Sequence, residues 1–479
     1  MLVIISDLHF SDGTAGEHNL PARAFTEVFL SKIASLANDN ECKEIKLLLL
    51  GDIIDLIRSE QWFKIDPSER PWGSNGLSDI PIPRSGSITE RQCMKILGHV
   101  SEAELTNPEQ PLSLEKDTVL YKNWETFKFF REFRLELQKK ELGIPVQIIY
   151  VPGNHDRLCN LYPSVRKELK KLLGITTDTN TIEGDPESDW RFRYDFADED
   201  YGVYARHGHQ YDPWNYAGTH LGFEDHLEVP IGDVITTEFA AKIPWAAAAL
   251  KSKHPEITDS LIKNLKDIDN VRPMSSVLEW IYYRIKKEDS REIRKAIEHV
   301  LDKVVKELID IELIRKWRSP KTHWDEAVRA LSSPWMSWLS KGLVELLKTE
   351  DLLPLFIGLD EGAQIPEKDV YTQAAYSQER IWRENKNIQF ILYGHTHVPL
   401  QRPLDRNERE VIYLNTGTWR TRIYKTVGLD RSPDFVELKQ MTYTIFYRRD
   451  EDLKGKKADT LSFDVWTGAK KKDYDTTKT

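Results

Sequence analysis

Cysteine is scarce. Cys42, Cys93 and Cys159 are the only three in 479 residues. So odd and sparse a count excludes a disulfide-built fold and fits a reducing compartment. Cys159 follows His155 closely, and its expected role is that of a small buried hydrophobe. Positive charge is also in short supply: 67 Lys and Arg face 77 Asp and Glu, a formal net charge of −10. This argues against broad, sequence-blind nucleic-acid binding, which needs a positive surface, but leaves room for a local basic groove. Long apolar runs are missing too. The best candidate span, Ile231 to Leu250, is interrupted by Asp233, Glu238, Lys242 and Pro244. The opening run Leu2 to Ile5 is too short, and lacks the basic flank, for a signal peptide. The expectation is a cytoplasmic protein without a transmembrane segment.

What is present is enough for a core. Hydrophobic residues make up 40% of the chain, and 14 of the residues are Trp. The length suits one large domain with insertions, or two or three domains.

Short apolar, strand-type runs recur, and each is followed at once by polar residues. Leu2 to Ile5 ends in Ser6-Asp7-Leu8-His9. Lys46 to Leu50 ends in Gly51-Asp52-Ile53-Ile54-Asp55. Val146 to Val151 is rich in β-branched residues and ends in Pro152-Gly153-Asn154-His155-Asp156. Gly202 to Arg206, beside a second strand at Trp190 to Phe196, ends in His207-Gly208-His209-Gln210-Tyr211-Asp212. Ile388 to Tyr393 ends in Gly394-His395-Thr396-His397, and Glu410 to Leu414 in Asn415-Thr416-Gly417-Thr418. Later β segments are expected at Phe435 to Arg448 and Ala458 to Trp466.

Helices alternate with the early strands. Ala22 to Ala37 is amphipathic, so strand, helix and strand imply a parallel crossover and an α/β fold. Ser87-Ile88-Thr89-Glu90 has capping-box spacing. Asp117 to Leu142 carries the stripe Leu120, Trp124, Phe127, Phe130, Phe133 and Leu137, and Pro163 to Leu173 is helical in pattern. The stretch Arg58 to Ser87 has no clear period. From 215 to 387 the chain becomes a helical block without internal repeat. One long element there runs through Ile293, Ile297, Val300, Val304, Leu308 and Ile311, with Trp324, Trp335 and Trp338 beyond it.

In open α/β sheets, ligands bind beyond the carboxyl ends of the strands. Five strands here deliver Asp, His or Asn to such ends: Asp7 and His9, Asp52, Asn154 and His155, His207, and His395 and His397. Any one of these is more often a plain polar turn. Together they point to metal. Two divalent cations a few ångströms apart repel, so a bridging carboxylate is needed between them, and Asp52 is the carboxylate that stands alone at its strand end, with no second residue of the set beside it. Nitrogen and oxygen ligands without thiolate suit Mn, Fe, Zn or Co in preference to a structural zinc site.

Asp-x-His, Gly-Asp-x-x-Asp, Gly-Asn-His-Asp, His-Gly-His and Gly-His-x-His, in this order, resemble the motifs of the calcineurin-like metallophosphoesterase superfamily. The resemblance covers about residues 1–215 and 388–450. It implies a four-layer αββα sandwich with the site at one edge. Residues 1–214 and 388–466 would form the core, with an inserted loop and helix region at 58–117. Residues 215–387 would be a helical insertion acting as a cap, and 467–479 a disordered tail. By this similarity Asp7, His9, Asp52 and His397 would hold one cation, and Asp52, Asn154, His207 and His395 a second. Mn²⁺ is the first expectation, with Fe, Zn, Co or Mg as alternatives. His155, oriented by Asp55, would act beside the scissile phosphate as general acid or charge stabiliser. His209 and Asp212 keep two readings, as further substrate contacts or as a hydrogen-bonded polar turn.

The implied reaction is hydrolysis of a phosphate ester or anhydride. Asp55 is followed by Leu56-Ile57 where protein phosphatases have Arg-Gly, and Asp156 stands where they have Glu, so that branch is disfavoured. The fourth motif resembles UDP-2,3-diacylglucosamine-hydrolase-like proteins, but His155 stands where the lipid A pathway members carry Arg. The expected partner is a small phosphate-containing substrate of nucleotide- or sugar-phosphate type. A nuclease of the same superfamily is the alternative, and a non-catalytic binding scaffold ranks below it. Trp62 and Trp72 have two readings, stacking on a base or tethering a long loop. Pro244 to Leu250 is read as ordinary packing ahead of contact with lipid or another subunit.

Overall fold

The structure is a computed structural model. It describes residues 1–16, 20–73, 85–105, 109–111, 113–175, 181–182, 190–218, 224–272, 276–287, 290–316, 369–405, 409–427, 433–454 and 459–469. The strands in the first half are β1 (Leu2–Ile5), β2 (Ile45–Leu50), β3 (Val146–Val151), β4 (Thr181–Ile182), β5 (Arg191–Phe192), β6 (Phe196–Asp198) and β7 (Val203–Ala205). They continue as β8 (Val271–Arg272), β9 (Phe390–Tyr393), β10 (Leu400–Asp405), β11 (Val411–Asn415), β12 (Arg422–Val427), β13 (Pro433–Leu438), β14 (Gln440–Tyr447) and β15 (Ser462–Ala469).

The chain is mixed α/β. One five-stranded sheet has the order β15-β14-β1-β2-β3 and another the order β10-β11-β9-β7-β6. In the first, β1, β2 and β3 run parallel, with Leu2 opposite Lys46 and Ile45 opposite Val146. In the second, β9 runs parallel to both β7 and β11. Parallel strands are covered on both faces, which is why these segments read as unbroken apolar runs.

Alternation along each strand assigns its side chains to two different cores. From β1, Val3 and Ile5 pack with Phe25, Phe29, Ile33, Phe127 and Phe130 of the helices. Leu2 and Ile4 instead join Leu48, Leu50, Ile149 and Val151 against Val203, Phe390, Leu392 and Leu414 of the second sheet. On that sheet's other face Tyr204, Ile391 and Tyr413 meet Tyr371, Ala375 and Trp382. Phe25 stacks on Trp419 with ring centroids 4.8 Å apart, which ties the first crossover helix to the segment after β11.

A separate core lies among the helices Lys242–Leu250, Asp259–Leu265, Val277–Lys287 and Arg291–Ile309. One of its links to the rest is a three-stranded sheet, β13-β12-β8, in which Val271 lies beside Ile423; others are the Arg157–Asp233 ion pair and the bond from Thr237 Oγ1 to Ile57 O. Among the described residues, no helix is long and apolar enough to cross a membrane.

Several expectations need correction. The helix expected over Asp117 to Leu142 is two helices, Val119–Lys122 and Trp124–Gln138. The break is at Asn123, whose amide donates to Ser11 O at 3.1 Å and to Val119 O at 2.8 Å, a side-chain competitor for the backbone ladder. Trp190 to Phe196 is not one strand but β5 and the start of β6, which belong to different sheets. Between them Tyr194 stacks on His226 with centroids 3.5 Å apart. Phe435 to Arg448 divides likewise into β13 and β14, and β10 and β12 were not anticipated. The strand β15 reaches Ala469, so the expected tail begins inside it. Trp324, Trp335 and Trp338 lie outside the described residues.

Trp62 and Trp72 are both packed inside the protein. Trp62 is wholly buried and its indole N–H donates to Leu56 O at 2.8 Å. Trp72 donates to Glu238 Oε1 at 3.1 Å, so both tether the loop. Pro244 and its neighbours Ile243, Ala246 and Ala247 are buried in the helical core, as ordinary packing requires. All three cysteines are free and buried.

Candidate metal centre

The polar residues after β1, β2, β3, β7 and β9 meet in one place, and the backbone pays a conformational cost to bring them there. Asp7, His9, Asp52, His395 and His397 all have φ between 50 and 66°. Non-glycine residues seldom adopt this left-handed region, and when several do so together the surroundings must over-determine them. Hydrogen bonds between strand ends supply that constraint. Asp7 N donates to Gly51 O at 3.0 Å, His9 N to Asp52 O at 2.9 Å, and Gly394 N to His207 O at 2.9 Å. His155 N donates to Asp52 Oδ1 at 2.9 Å and His395 N to Asp7 Oδ2 at 3.2 Å. Two glycines leave the room. A Cβ on Gly153 would lie 2.2 Å from Asp52 Oδ1, and one on Gly51, itself at φ 80°, would lie 2.3 Å from His207 Nδ1.

Among the described residues three overlapping groups of side chains result, one of them His9, Asp55 and His155, and the other two sharing Asp52. In one of these two, Asp7, His9, Asp52 and His397 bring a ligand atom each to within 4.8 Å of one another, all buried. His9 Nε2 and His397 Nε2 are 3.1 Å apart, and His397 Nε2 is 3.1 Å from Asp7 Oδ1. In the second, Asp52, His207 and His395 lie equally close, with His395 half-buried. Asp52 is common to both. His207 Nδ1 faces Leu50 O at 2.9 Å, so Nδ1 donates there and Nε2, 3.2 Å from Asp52 Oδ2, is the nitrogen turned toward the group. His395 Nε2 faces Asp212 Oδ2 at 2.9 Å, which leaves Nδ1 as the free nitrogen.

Asn154 donates through Nδ2 to Asn215 Oδ1 at 3.2 Å, while its Oδ1 is buried without a hydrogen-bond partner. Among the described residues Asp7 Oδ1 and His207 Nε2 also lack a well-formed hydrogen bond, each facing only an ionisable neighbour, His397 Nε2 and Asp52 Oδ2. Buried polar atoms are rarely left so, and acceptor atoms converging on one point are what a cation requires. The residues therefore fit a metal site.

The electrostatics agree. Burial, followed by the charge of His9, keeps His397 well below the ordinary imidazole value; burial takes His9 down to about 4. Both rings are neutral, as ligands must be. Burial pushes Asp7 up to about 7. Burial acts on Asp52 too, but His207, His155 and His9 outweigh it and hold that carboxyl well below its usual range. Burial opposes charge on His207, yet Asp52 and Asp7 raise it to about 9. A cation between these groups would take the place of that proton.

His155 stands beside this centre. Burial opposes its charge, but Asp55 and Asp52 raise it to about 10. Asp55 Oδ1 is 3.1 Å from His155 Nδ1 and Asp55 Oδ2 is 3.3 Å from His9 Nδ1, so one carboxylate orients two imidazoles. Asp156 faces away from the site. It accepts from Gly153 N at 3.0 Å and Ile54 N at 2.8 Å, binding the turns after β2 and β3 together. His209 also stays out of both groups, with Nε2 3.1 Å from His226 Nε2. Asp212, by contrast, is a direct partner of His395.

Arg58, Asp269, Arg420 and Arg422 border the centre and were not anticipated. Arg58 follows Asp55 by three positions, and Arg420 follows the Asn415-Thr416-Gly417-Thr418 strand end, so polar residues after a strand were the available signal. Asp269 comes from the helical block, where no periodicity marks it. No protein-family model matches the chain, and no curated protein sequence matches it.

Proposed function

We propose that this chain is a metal-dependent phosphoesterase of the calcineurin-like kind, hydrolysing a phosphate ester or anhydride of nucleotide- or sugar-phosphate type. The observation that carries the reading is Asp52. Its carboxylate is shared by two groups of ligand-competent side chains contributed by both sheets. Three packed cores, helix on sheet, sheet on sheet and sheet on helix, support an αββα layering. In this reading Asp7, His9, Asp52 and His397 hold one divalent cation, and Asp52, Asn154, His207 and His395 a second, with Mn²⁺ as the first choice.

When bound, such cations supply Lewis acidity and the activation of water at neutral pH. The side chains supply the rest. Asp52 balances charge between the two groups, and Asp7 adds a second carboxylate. The Nδ1 proton of His207, held on Leu50 O, fixes the direction of its Nε2. His155 is held charged and aimed by Asp55, and it stabilises negative charge on a phosphoryl or leaving oxygen or donates a proton there. Asp212 fixes the ring of His395.

The test is hydrolysis of bis(p-nitrophenyl) phosphate by wild type and Asp52→Asn, each with Mn²⁺, with binding of Mn²⁺ followed separately by calorimetry. The reading requires Mn²⁺-dependent turnover in wild type and its loss in the variant. Turnover that survives the substitution, or none in Mn²⁺-loaded wild type on mono- or diester substrates, overturns it.

A further inference from the structure

Arg58 is 1% exposed, and among the described residues none of its guanidinium nitrogens has a hydrogen-bond partner. The acid at ion-pair distance is Asp269, whose Oδ2 lies 3.6 Å from Arg58 Nε. That same oxygen already accepts from Arg420 Nη2. Arg420 is 2% exposed and also donates through Nε to Asn270 Oδ1 at 2.8 Å. Arg422 donates through Nη1 to His397 O at 2.7 Å, and its Nε is buried without a partner. One carboxylate thus serves two buried guanidinium groups. Arg420 also reaches Asp269 O through Nη2 at 3.1 Å, so the shortfall is Arg58's, and a buried charge left so short of acceptors is costly unless an anion completes it.

This cluster is fastened to the metal centre. Arg58 N donates to Asp55 Oδ1 at 3.2 Å. Arg420 N donates to Thr418 Oγ1 at 2.9 Å, and that hydroxyl donates to Asp7 O at 2.8 Å. Arg422 is bonded to the backbone of His397 itself. Gly16 makes room on the far side, since a Cβ there would lie 1.9 Å from Arg58 Nη2. Burial, followed by Arg420, brings the Arg58 guanidinium down to about 10, so it stays charged at neutral pH.

We infer that Arg58 and Arg420 form an anion subsite beside the metal centre that takes a second phosphate of the substrate, which makes the substrate a phosphoanhydride such as a nucleoside diphosphate or a nucleotide sugar. The inference rests on the phosphoesterase reading and deepens it. Planar guanidinium donors match phosphate oxygens, and an anhydride places a second phosphate one bridging oxygen from the first. A deeply buried pair does not track a polynucleotide backbone, for which an exposed basic track is needed. In the reaction, a water oxygen bonds to phosphorus at the metal centre and the bridging P–O bond breaks. Its electron pair leaves on the second phosphate. One water hydrogen stays on the new P–O bond and the other passes to the leaving oxygen or to solvent.

The experiment compares wild type, Arg58→Met and Arg58→Lys. Binding of inorganic pyrophosphate to metal-free protein is measured by calorimetry. Turnover of ADP-ribose and of bis(p-nitrophenyl) phosphate is measured with Mn²⁺. Arg58→Met is expected to weaken pyrophosphate binding, and to lower the ratio of kcat/KM for ADP-ribose to that for the diester, by about 10- to 100-fold, the range for a lost hydrogen bond to a charged group. The change falls mainly in KM, and Arg58→Lys, which keeps the charge in the same space, recovers part of it. Circular dichroism of each variant verifies folding, and Arg58→Lys carries the test if Arg58→Met is unfolded, with a weaker loss in the same two readouts. Pyrophosphate binding lost with an unchanged selectivity ratio overturns the substrate assignment. Pyrophosphate binding that is equal in wild type and folded variants overturns the subsite. If no substrate is turned over, the phosphoesterase reading fails, and the pyrophosphate titration still decides whether Arg58 binds an anion.

Discussion

His9 Nε2 and His397 Nε2 lie 3.1 Å apart although 388 positions separate them in the chain. Two imidazole nitrogens at that distance share at most one proton, and burial keeps both rings neutral. The strand ends that carry them spend left-handed backbone geometry on the juxtaposition. A cation would resolve the crowding, and thermal stability should record it. Millimolar Mn²⁺ is expected to raise Tm and a chelator to reverse the rise. A cation at one hundred times its Kd adds about 2.7 kcal/mol. His397→Ala should lose most of the increment. A Tm indifferent to Mn²⁺ in wild type would contradict the candidate centre.

Asp55 is expected to matter more to turnover than to substrate binding. It touches His155 and His9 but belongs to neither ligand group that includes Asp52. Asp55→Asn keeps the shape and removes the charge that holds His155 protonated. The expected result is a fall in kcat of about 10²–10⁴-fold, the range for a positioned acid or base, with a smaller change in KM. Steady-state kinetics on the diester measure the split.

Gly51→Ala tests the space at the strand end. The new methyl would collide with His207 and would sit at φ 80°. A loss of roughly 1–3 kcal/mol is expected from strain of this kind, together with weaker Mn²⁺ binding. Denaturant titration and calorimetry report the two separately.

Trp62 should behave as a core residue. Trp62→Ala is expected to cost about 3–5 kcal/mol through the cavity it leaves. The KM ratio between base-bearing and base-free substrates should stay as in wild type, because the ring faces the loop interior. A selective rise in KM for nucleotides would reopen the stacking role.

Asp12 gives a pH dependence away from the ligands. Burial pushes its carboxyl up to about 6, against hydrogen bonds from Ser59 and Thr14. An acid with a raised folded value is stable in its protonated form. Its contribution is complete below the ordinary value of 3.8 and is lost as pH rises through about 6. Wild type should therefore lose stability relative to Asp12→Asn between pH 4 and 6, by something on the order of 1–3 kcal/mol. Unfolding curves at a series of pH values check the sign.

The parallel strands were legible because burial on both faces leaves one signal, a run such as Leu47 to Leu50 with a polar residue behind it. The strands β10 and β12 were not, since Leu400–Asp405 and Arg422–Val427 mix charge with apolar residues. Asn123 hid a helix break because a side-chain hydrogen bond to Ser11 depends on a contact made elsewhere in the fold. The residues around Asp52 could be picked from their positions after strands, and the structure brings Asp7, His9, Asp52, His207, His395 and His397 together. Arg58 was invisible as a candidate. A lone arginine in a loop looks solvated until the burial that strips its partners is known. Asp269 and Arg420 meet only because β8 pairs with β12.

That short ladder limits how the molecule can breathe. Val271 and Arg272 are stitched beside Ile423 and Tyr424, so the helices around them cannot swing away as one flap without unzipping backbone pairs. A nick in the chain between Val271 and Ile423 would leave two pieces that still travel together.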